Sequence, residues 1–435
     1  MDPGSPPSTP RGGRRAAMAF IYVTILLDVL GFGLLIPVLP NLIAEFTGDR
    51  AEAAVTFGLL LTVWSLMQFL FSPLLGALSD RFGRRPVLIL SAIGLGLDYI
   101  VMAIAPTLAW LFVGRVLSGI LASSQPTVAA YVADVTPVEQ RAAAFGLIGA
   151  VWGVGFIIGP AIGGALALVH IRFPFWAAAG MSLASAAYGL FVLPESLPAG
   201  RRSPFSWRRA NPVGSLTLLR SHRELLGLGG VNFLTFLAFQ VLPSTFVLYA
   251  GYRYAWDPLA VGLLLTLVGI GNIGVQGFLV KPFIKRYGER TALYAGLLSG
   301  MAGLTIYGLA PDGILVFLGV PVFAFIGLTQ PALQSLMTRR VRPSEQGQLQ
   351  GANGSIFGLT GVLGPIMFGF VLATFIGPLR SLGVPGAAFF LAAALMLAAA
   401  ALAVRVTRPS RDAVDRGIPA PTDPPAIADG PLDPR

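Results

Sequence analysis

Long apolar runs, each bounded by charge or by Pro and Gly, recur twelve times along this chain. They lie at 18–40, 56–79, 86–105, 108–132, 142–166, 173–193, 224–249, 259–282, 291–310, 313–337, 349–375 and 384–406. A helix crosses a bilayer with about 20 such residues. None of the runs alternates apolar and polar positions as barrel strands do. The pattern therefore predicts an all-α membrane protein with 12 transmembrane helices.

The runs also repeat as a set. Gly83 in Arg81-Phe82-Gly83-Arg84-Arg85 is matched by Gly288 in Arg286-Tyr287-Gly288-Glu289-Arg290, Pro126 by Pro331, and Gly159-Pro160 by Gly364-Pro365, all at one offset of 205 positions. Two pseudo-symmetric six-helix bundles, 18–194 and 224–406, are expected, joined by a hydrophilic linker over 195–223. Parallel repeats of this kind are a transporter architecture with the substrate site between the halves at mid-membrane. Residues 1–17 and the Pro- and Asp-rich tail 407–435 are expected to be disordered.

Basic residues orient the bundles. One set of loops carries Arg81, Arg84, Arg85, Arg141, the arginines of 195–223, Lys281, Lys285, Arg286, Arg290, Arg339, Arg340 and Arg342. The opposite set carries Arg50, Arg172, Arg253 and Arg380 beside Glu45, Asp49, Glu52, Asp257 and Asp312. The positive-inside rule then puts both termini and the linker in the cytoplasm.

Composition narrows the function classes. The chain is 55% apolar and 11% charged, with net charge +10 and mean hydropathy +0.75. Its arginines sit in short loops rather than on one basic face with interleaved aromatics, so no nucleic-acid partner is expected. Cysteine is absent, and with it thiolate metal sites and thiol nucleophiles. The two histidines, His170 and His222, lie in loops, and no carboxylate pair has ligand spacing. Nothing here suggests an enzyme, a metal site or a cofactor.

The candidate chemistry lies inside the apolar runs. Asp28 interrupts the first run at a depth where a carboxylate costs several kcal/mol unless it meets a cavity, a partner or a proton. Asp98 lies mid-way along the third run, either as a hydrogen-bonded structural acid or as part of a proton relay. Arg115, in the fourth, either snorkels to the interface or pairs with a buried carboxylate. Gly76, Asp80, Arg81, Gly83, Arg84 and Arg85 make a tight basic turn that could latch neighbouring helices. Gly155, Gly159, Gly163 and Gly164, with Pro160, form a small-residue groove that a second helix can enter. Mid-helix amides Gln68, Gln125, Asn232, Gln240, Asn272, Gln276, Gln330 and Gln334, with Trp64, could line a cavity for a bulky amphiphile; each amide could equally bond between helices.

The 76–86 string resembles the loop signature of the major facilitator superfamily. Arg115 resembles the superfamily's fourth-helix arginine, associated with proton coupling, and 155–164 the motif of its antiporter branch. Beyond that, Leu26-Leu27-Asp28, Ile36-Pro37-Val38-Leu39-Pro40, Leu66-Met67-Gln68, Leu97-Asp98-Tyr99, Gln330-Pro331-Ala332-Leu333-Gln334 and Glu345 to Gly351 resemble the tetracycline/proton antiporters of bacteria. The resemblance implies a drug/proton antiporter of the bacterial inner membrane. It would be a monomer in the lipid bilayer, exchanging a small amphiphilic substrate for protons by alternating access. Uptake of a small metabolite is the alternative. One departure stands out. Those exporters carry a histidine four residues before the glutamine that Gln276 matches, and here that position is Asn272. Their ninth helix also holds an acid, and 293–310 has none.

Overall fold

Wherever an apolar run meets Pro, Gly or a capping Asp, a helix of this chain starts, bends or stops. The computed structural model describes residues 11–137, 140–203, 223–342 and 345–407. The spans are α1 (Ile21–Thr47), α2 (Arg50–Phe82), α3 (Arg84–Ile104), α4 (Leu108–Val135), α5 (Arg141–Val169) and α6 (Phe173–Val192) in the first half. The second half has α7 (Leu225–Tyr254), α8 (258–287), α9 (289–309), α10 (Gly313–Thr338), α11 (Gln346–Ile376) and α12 (Ala387–Thr407). The segment Pro258–Leu309 runs helically for 52 residues and supplies two crossings, α8 and α9, because the backbone turns at Gly288. The protein is a multi-pass, all-helical membrane protein in which twelve spans account for the apolar runs.

Asp49, Asp257 and Asp312 accept the backbone N–H of Glu52, Ala260 and Leu315 at 2.8, 2.8 and 3.0 Å. Each satisfies an orphan donor in the first turn of a helix. Gly83 and Gly288 take φ of +107° and +79°, a region closed to most side chains, so the glycine repeat marks the same turn in both halves. The helix breaks repeat too. A 3₁₀ turn at Ala122–Ser124 precedes Pro126, and another at Phe325–Leu328 precedes Pro331. In each, the missing N–H of proline and its ring clash displace the preceding turn.

One feature of α8 has no counterpart in α2: a π turn at Val275–Leu279. Across the seams between halves, Gly58 packs on Pro365 and Gly262 on Pro160, and Thr62 Oγ1 donates to Val362 O at 3.0 Å while Thr266 Oγ1 donates to Ile157 O at 2.6 Å. Gly58 and Thr62 correspond to Gly262 and Thr266 at an offset of 204, yet Gly83 and Gly288 correspond at 205. The π turn is where the extra residue is taken up.

Two expectations for the ends change. Residues 11–17, expected to be disordered, continue α1 toward the N-terminus as a helix starting at Arg11. The linker's first residues are bonded to the first half: Glu195 accepts the backbone N–H of Arg84 at 2.8 Å, and Ser203 N–H donates to Asp80 O at 3.1 Å. Residues 1–10, 204–222 and 408–435, which include His222 and most of the expected linker and tail, lie outside the described residues.

Candidate functional site

The two halves meet along α2–α11 and α5–α8, and the seams are tight from the end away from Arg81–Arg85 to past the middle, where a Cβ on Gly358 would lie 2.6 Å from Phe69 Cδ2. A Cβ on Gly58 would lie 2.6 Å from Pro365 O, and one on Gly369 2.6 Å from Ala54 O. Gly164 abuts the start of α8, where a Cβ would be 2.7 Å from Leu259 Cα. Gly153 still touches Ile273. Further toward the basic end, side chains at Gly146, Gly149, Gly274, Gly277 and Gly354 would meet open space. The molecule is thus closed at the far end and parted at the basic end.

Gly155, Gly159 and Gly163 of α5 face α1. A Cβ on Gly159 would sit 2.8 Å from Gly33 Cα, and one on Gly155 2.7 Å from Val29 Cγ1. Val29 follows Asp28 directly, so this groove sets the depth and rotation of the α1 face that carries the acid. Asp28 is half-buried, and its Oδ1 has no hydrogen-bond partner. Thr24 Oγ1, one turn earlier on the same face, is also unpartnered. One turn further on, Phe32 stacks on Trp64 of α2 at 5.3 Å. An acid, a hydroxyl and an aromatic pair therefore share one strip.

Asp98 is buried, with both oxygens unpartnered. Gly114 lets α4 approach it: a Cβ there would lie 3.0 Å from Asp98 Oδ1. Arg115, the next residue, is only 4% exposed, which rules out snorkelling to water. Its Nη2 donates to Met102 Sδ at 3.1 Å and its Nε has no partner. Tyr99, next to Asp98, lays its ring against α1, where a Cβ on Gly31 would lie 3.8 Å from Cε2, so α1, α3 and α4 meet beside the three sequence candidates. Among the described residues the ion pairs within 4.0 Å are Arg84–Asp80, Arg84–Asp134 and Arg339–Glu289; Asp98 and Arg115 stand further apart. Removing one of two neighbouring buried charges of opposite sign leaves the other uncompensated. Arg115→Gln is therefore expected to lower thermal stability of the purified protein sharply, and Asp98→Asn added to it to restore much of the loss. A double variant no more stable than Arg115→Gln would contradict the coupling.

The amides divide. Gln330 Nε2 donates to Asn232 Oδ1 at 3.2 Å, Asn232 Nδ2 to Asn353 Oδ1 at 3.0 Å, and Asn353 Nδ2 to Gln334 Oε1 at 3.0 Å. This chain ties α7, α10 and α11 together, and Asn353 is the member that sequence reasoning missed. Its mid-helix placement in an apolar run was the available signal. Gln276 Nε2 donates to Asn272 Oδ1 at 2.8 Å on an exposed face of α8. Gln68 and Gln240 are half-buried and Gln125 is exposed. Gln240 sits against Gly364 at the break in α7.

At the basic end, Arg84 does more than mark topology: it is buried, with Nη1 bonded to Asp80 and to Ser79 Oγ at 2.6 Å and Nε to Asp134 at 3.4 Å. Arg85 donates to Leu190 O at 2.6 Å, and the Arg81 guanidinium lies over the Phe82 ring. Gly76 packs α2 on Pro126 of α4 at 3.7 Å. Asp134 and Ser79 were not singled out from sequence, and only the fold brings them to Arg84.

Comparison with known proteins adds a family to this geometry. The Major Facilitator Superfamily model matches residues 21–365 and 228–429. The tetracycline resistance protein, class C, of Escherichia coli is 37% identical over 376 residues, covering 86% of this chain and 94% of that protein. The class E protein of Escherichia coli is 38% identical over 349 residues, covering 80% and 86%. The crystal structure of the human organic anion transporter MFSD10 (TETRAN) is similar with a TM-score of 0.66 and 25% identity, covering 92% of this chain and 100% of that one.

Proposed function

The chain belongs to the major facilitator superfamily, in the group of the tetracycline resistance proteins, and from that premise we propose that it is a proton-coupled drug exporter. It works by alternating access between the two halves. The observation that carries this reading is the one-sidedness of the buried charge. Asp28, Asp98 and Arg115 lie together in the first half. Aligning α1 with α7 at their breaks puts Asn232 opposite Asp28, and the offset of 205 puts Gly303 opposite Asp98 and Val320 opposite Arg115. The second half thus offers amides where the first offers an acid.

In the mechanism, Asp28 and Asp98 take protons when the cavity faces the far side, which removes buried charge and allows the halves to rock. When the halves part at the basic end, the protons leave with Arg115 nearby, and substrate enters. An amphiphilic cation meets Asp28 and lays its apolar body on Phe32 and Trp64, with Gln68, Asn272 and Gln276 as polar contacts. Localisation in the bacterial inner membrane with both termini cytoplasmic, and a monomeric state, belong to the same proposal. The stretch 195–223 is read as the cytoplasmic linker between bundles 18–194 and 224–406.

Everted membrane vesicles test it. With an imposed inward-acid gradient, tetracycline or an unrelated cation such as ethidium should accumulate inside and collapse the gradient as it enters. Failure of both probes to move protons overturns export. Movement in the opposite sense would instead favour metabolite-type uptake.

A further inference from the structure

The offset that aligns the halves also aligns their basic-end charges, and three of them change sign while Arg81 and Arg85 keep theirs as Arg286 and Arg290. Asp80, Arg84 and Asp134 of the first half correspond to Lys285, Glu289 and Arg339 of the second. The contact is reversed with them. Arg84 at the start of α3 bonds to Asp134 at the end of α4, and Glu289 at the start of α9 bonds to Arg339 at the end of α10. Glu289 Oε1 also accepts from Ser335 Oγ at 3.0 Å.

Helix dipoles make the two versions unequal. A helix start favours a carboxylate and a helix end a cation. In the second half both charges suit their positions. In the first half both are wrong: α3 opens on Arg84 and Arg85, and α4 ends near Asp134. The missing carboxylate comes from elsewhere. Glu195, just past α6, accepts the backbone N–H of Arg84 at 2.8 Å and of Arg85 at 3.3 Å. Its side chain fills the space beside Gly83, whereas Gly288 has nothing within 4 Å. Ser196, next to Glu195, completes the arrangement by donating to Asp134 Oδ2 at 3.1 Å.

We propose that the two halves carry one helix clasp in opposite charge polarity, Arg84–Asp134 and Glu289–Arg339, and that Glu195 is the positioning residue that only the first polarity requires. The first clasp is thereby tied to the segment leading into the second half, while the second is self-contained. Motion of that segment reaches the start of α3 and leaves the start of α9 untouched.

The test uses the full chain purified in detergent and needs no transport assay. Glu195→Gln should lower Tm by about 2–4 °C, the loss of a helix cap in a domain of this size. In a background carrying Asp80→Lys, Arg84→Glu and Asp134→Arg, the same change should leave Tm unchanged or raise it, because the start of α3 now has its own acid. An equal drop in both backgrounds overturns the proposal. If the inverted background does not accumulate, the exchange Glu289→Arg with Arg339→Glu decides: it should lie nearer native Tm than Glu289→Arg alone, and no recovery overturns it. Positioning has its own readout. The chain lacks cysteine, so Gly149→Cys on the open wall of α5 reports access to N-ethylmaleimide. Glu195→Gln should shift that alkylation rate by about threefold or more, a modest population change, and Glu195→Asp should restore it. An unchanged rate would reduce Glu195 to a structural cap and overturn the positioning role.

Discussion

Replacing Asp28 by asparagine should reduce gradient-driven drug export to background while the protein accumulates normally in the membrane. The amide keeps the shape and a hydrogen-bonding oxygen but cannot take up and release a proton at working pH. The fold should accept it, because the aligned position in α7 is already Asn232, buried and bonded to Asn353 and Gln330. Two measurements separate coupling from binding. Proton movement on drug addition should vanish, and downhill drug exchange across vesicles should persist. Full gradient-driven export by the variant would remove Asp28 from the coupling path and, with it, the mechanism proposed above. The burial of Oδ1 without a partner gives this prediction its size. An ionised carboxylate so placed is costly, so its charge state weighs on which conformation the halves adopt.

Gly58→Val is expected to cut turnover by about tenfold or more without unfolding either bundle. The new Cβ would meet Pro365 O at 2.6 Å and Pro365 C at 3.2 Å, both backbone atoms with no rotamer to give way. Overpacking of this kind costs about 1–3 kcal/mol. Here it falls on the form closed at the far end, since the seam between α2 and α11 is what closes it. A penalty of about 1.4 kcal/mol on one of two states moves their ratio tenfold. Ala54→Cys, buried in the same seam beside Gly369, provides an independent check. It should be alkylated faster once valine stands at 58. Native turnover together with unchanged alkylation would mean that the seam does not open during transport.

Much of this architecture is legible in the chain itself. Helices are fixed by long apolar runs, and their limits by Gly83, Gly288, Pro126, Pro331 and the capping aspartates, all local signals. The small residues at 155, 159 and 163 announce a close helix partner, and Gly33 of α1 proves to be part of it. Long-range pairings were less visible. A match of residue type hides a match of interaction when the charges of a contact are exchanged, as between Arg84–Asp134 and Glu289–Arg339. Glu195 gave no sign, since its carboxylate caps a helix more than a hundred positions away. The amides show the limit of composition: Gln330 bonds to Asn232, and Asn353 links Asn232 to Gln334, a geometry that periodicity cannot supply.

The π turn at Val275–Leu279 carries a consequence for anyone recombining the two halves. Before it, equivalent positions in α2 and α8 are 204 apart; beyond it they are 205 apart. A chimera spliced on mismatched sides of that point would gain or lose one residue and swing the remaining helix by about 100° about its axis. Groups that belong in the cavity would then be turned into lipid. The two halves keep interchangeable parts, with one tooth of the thread offset.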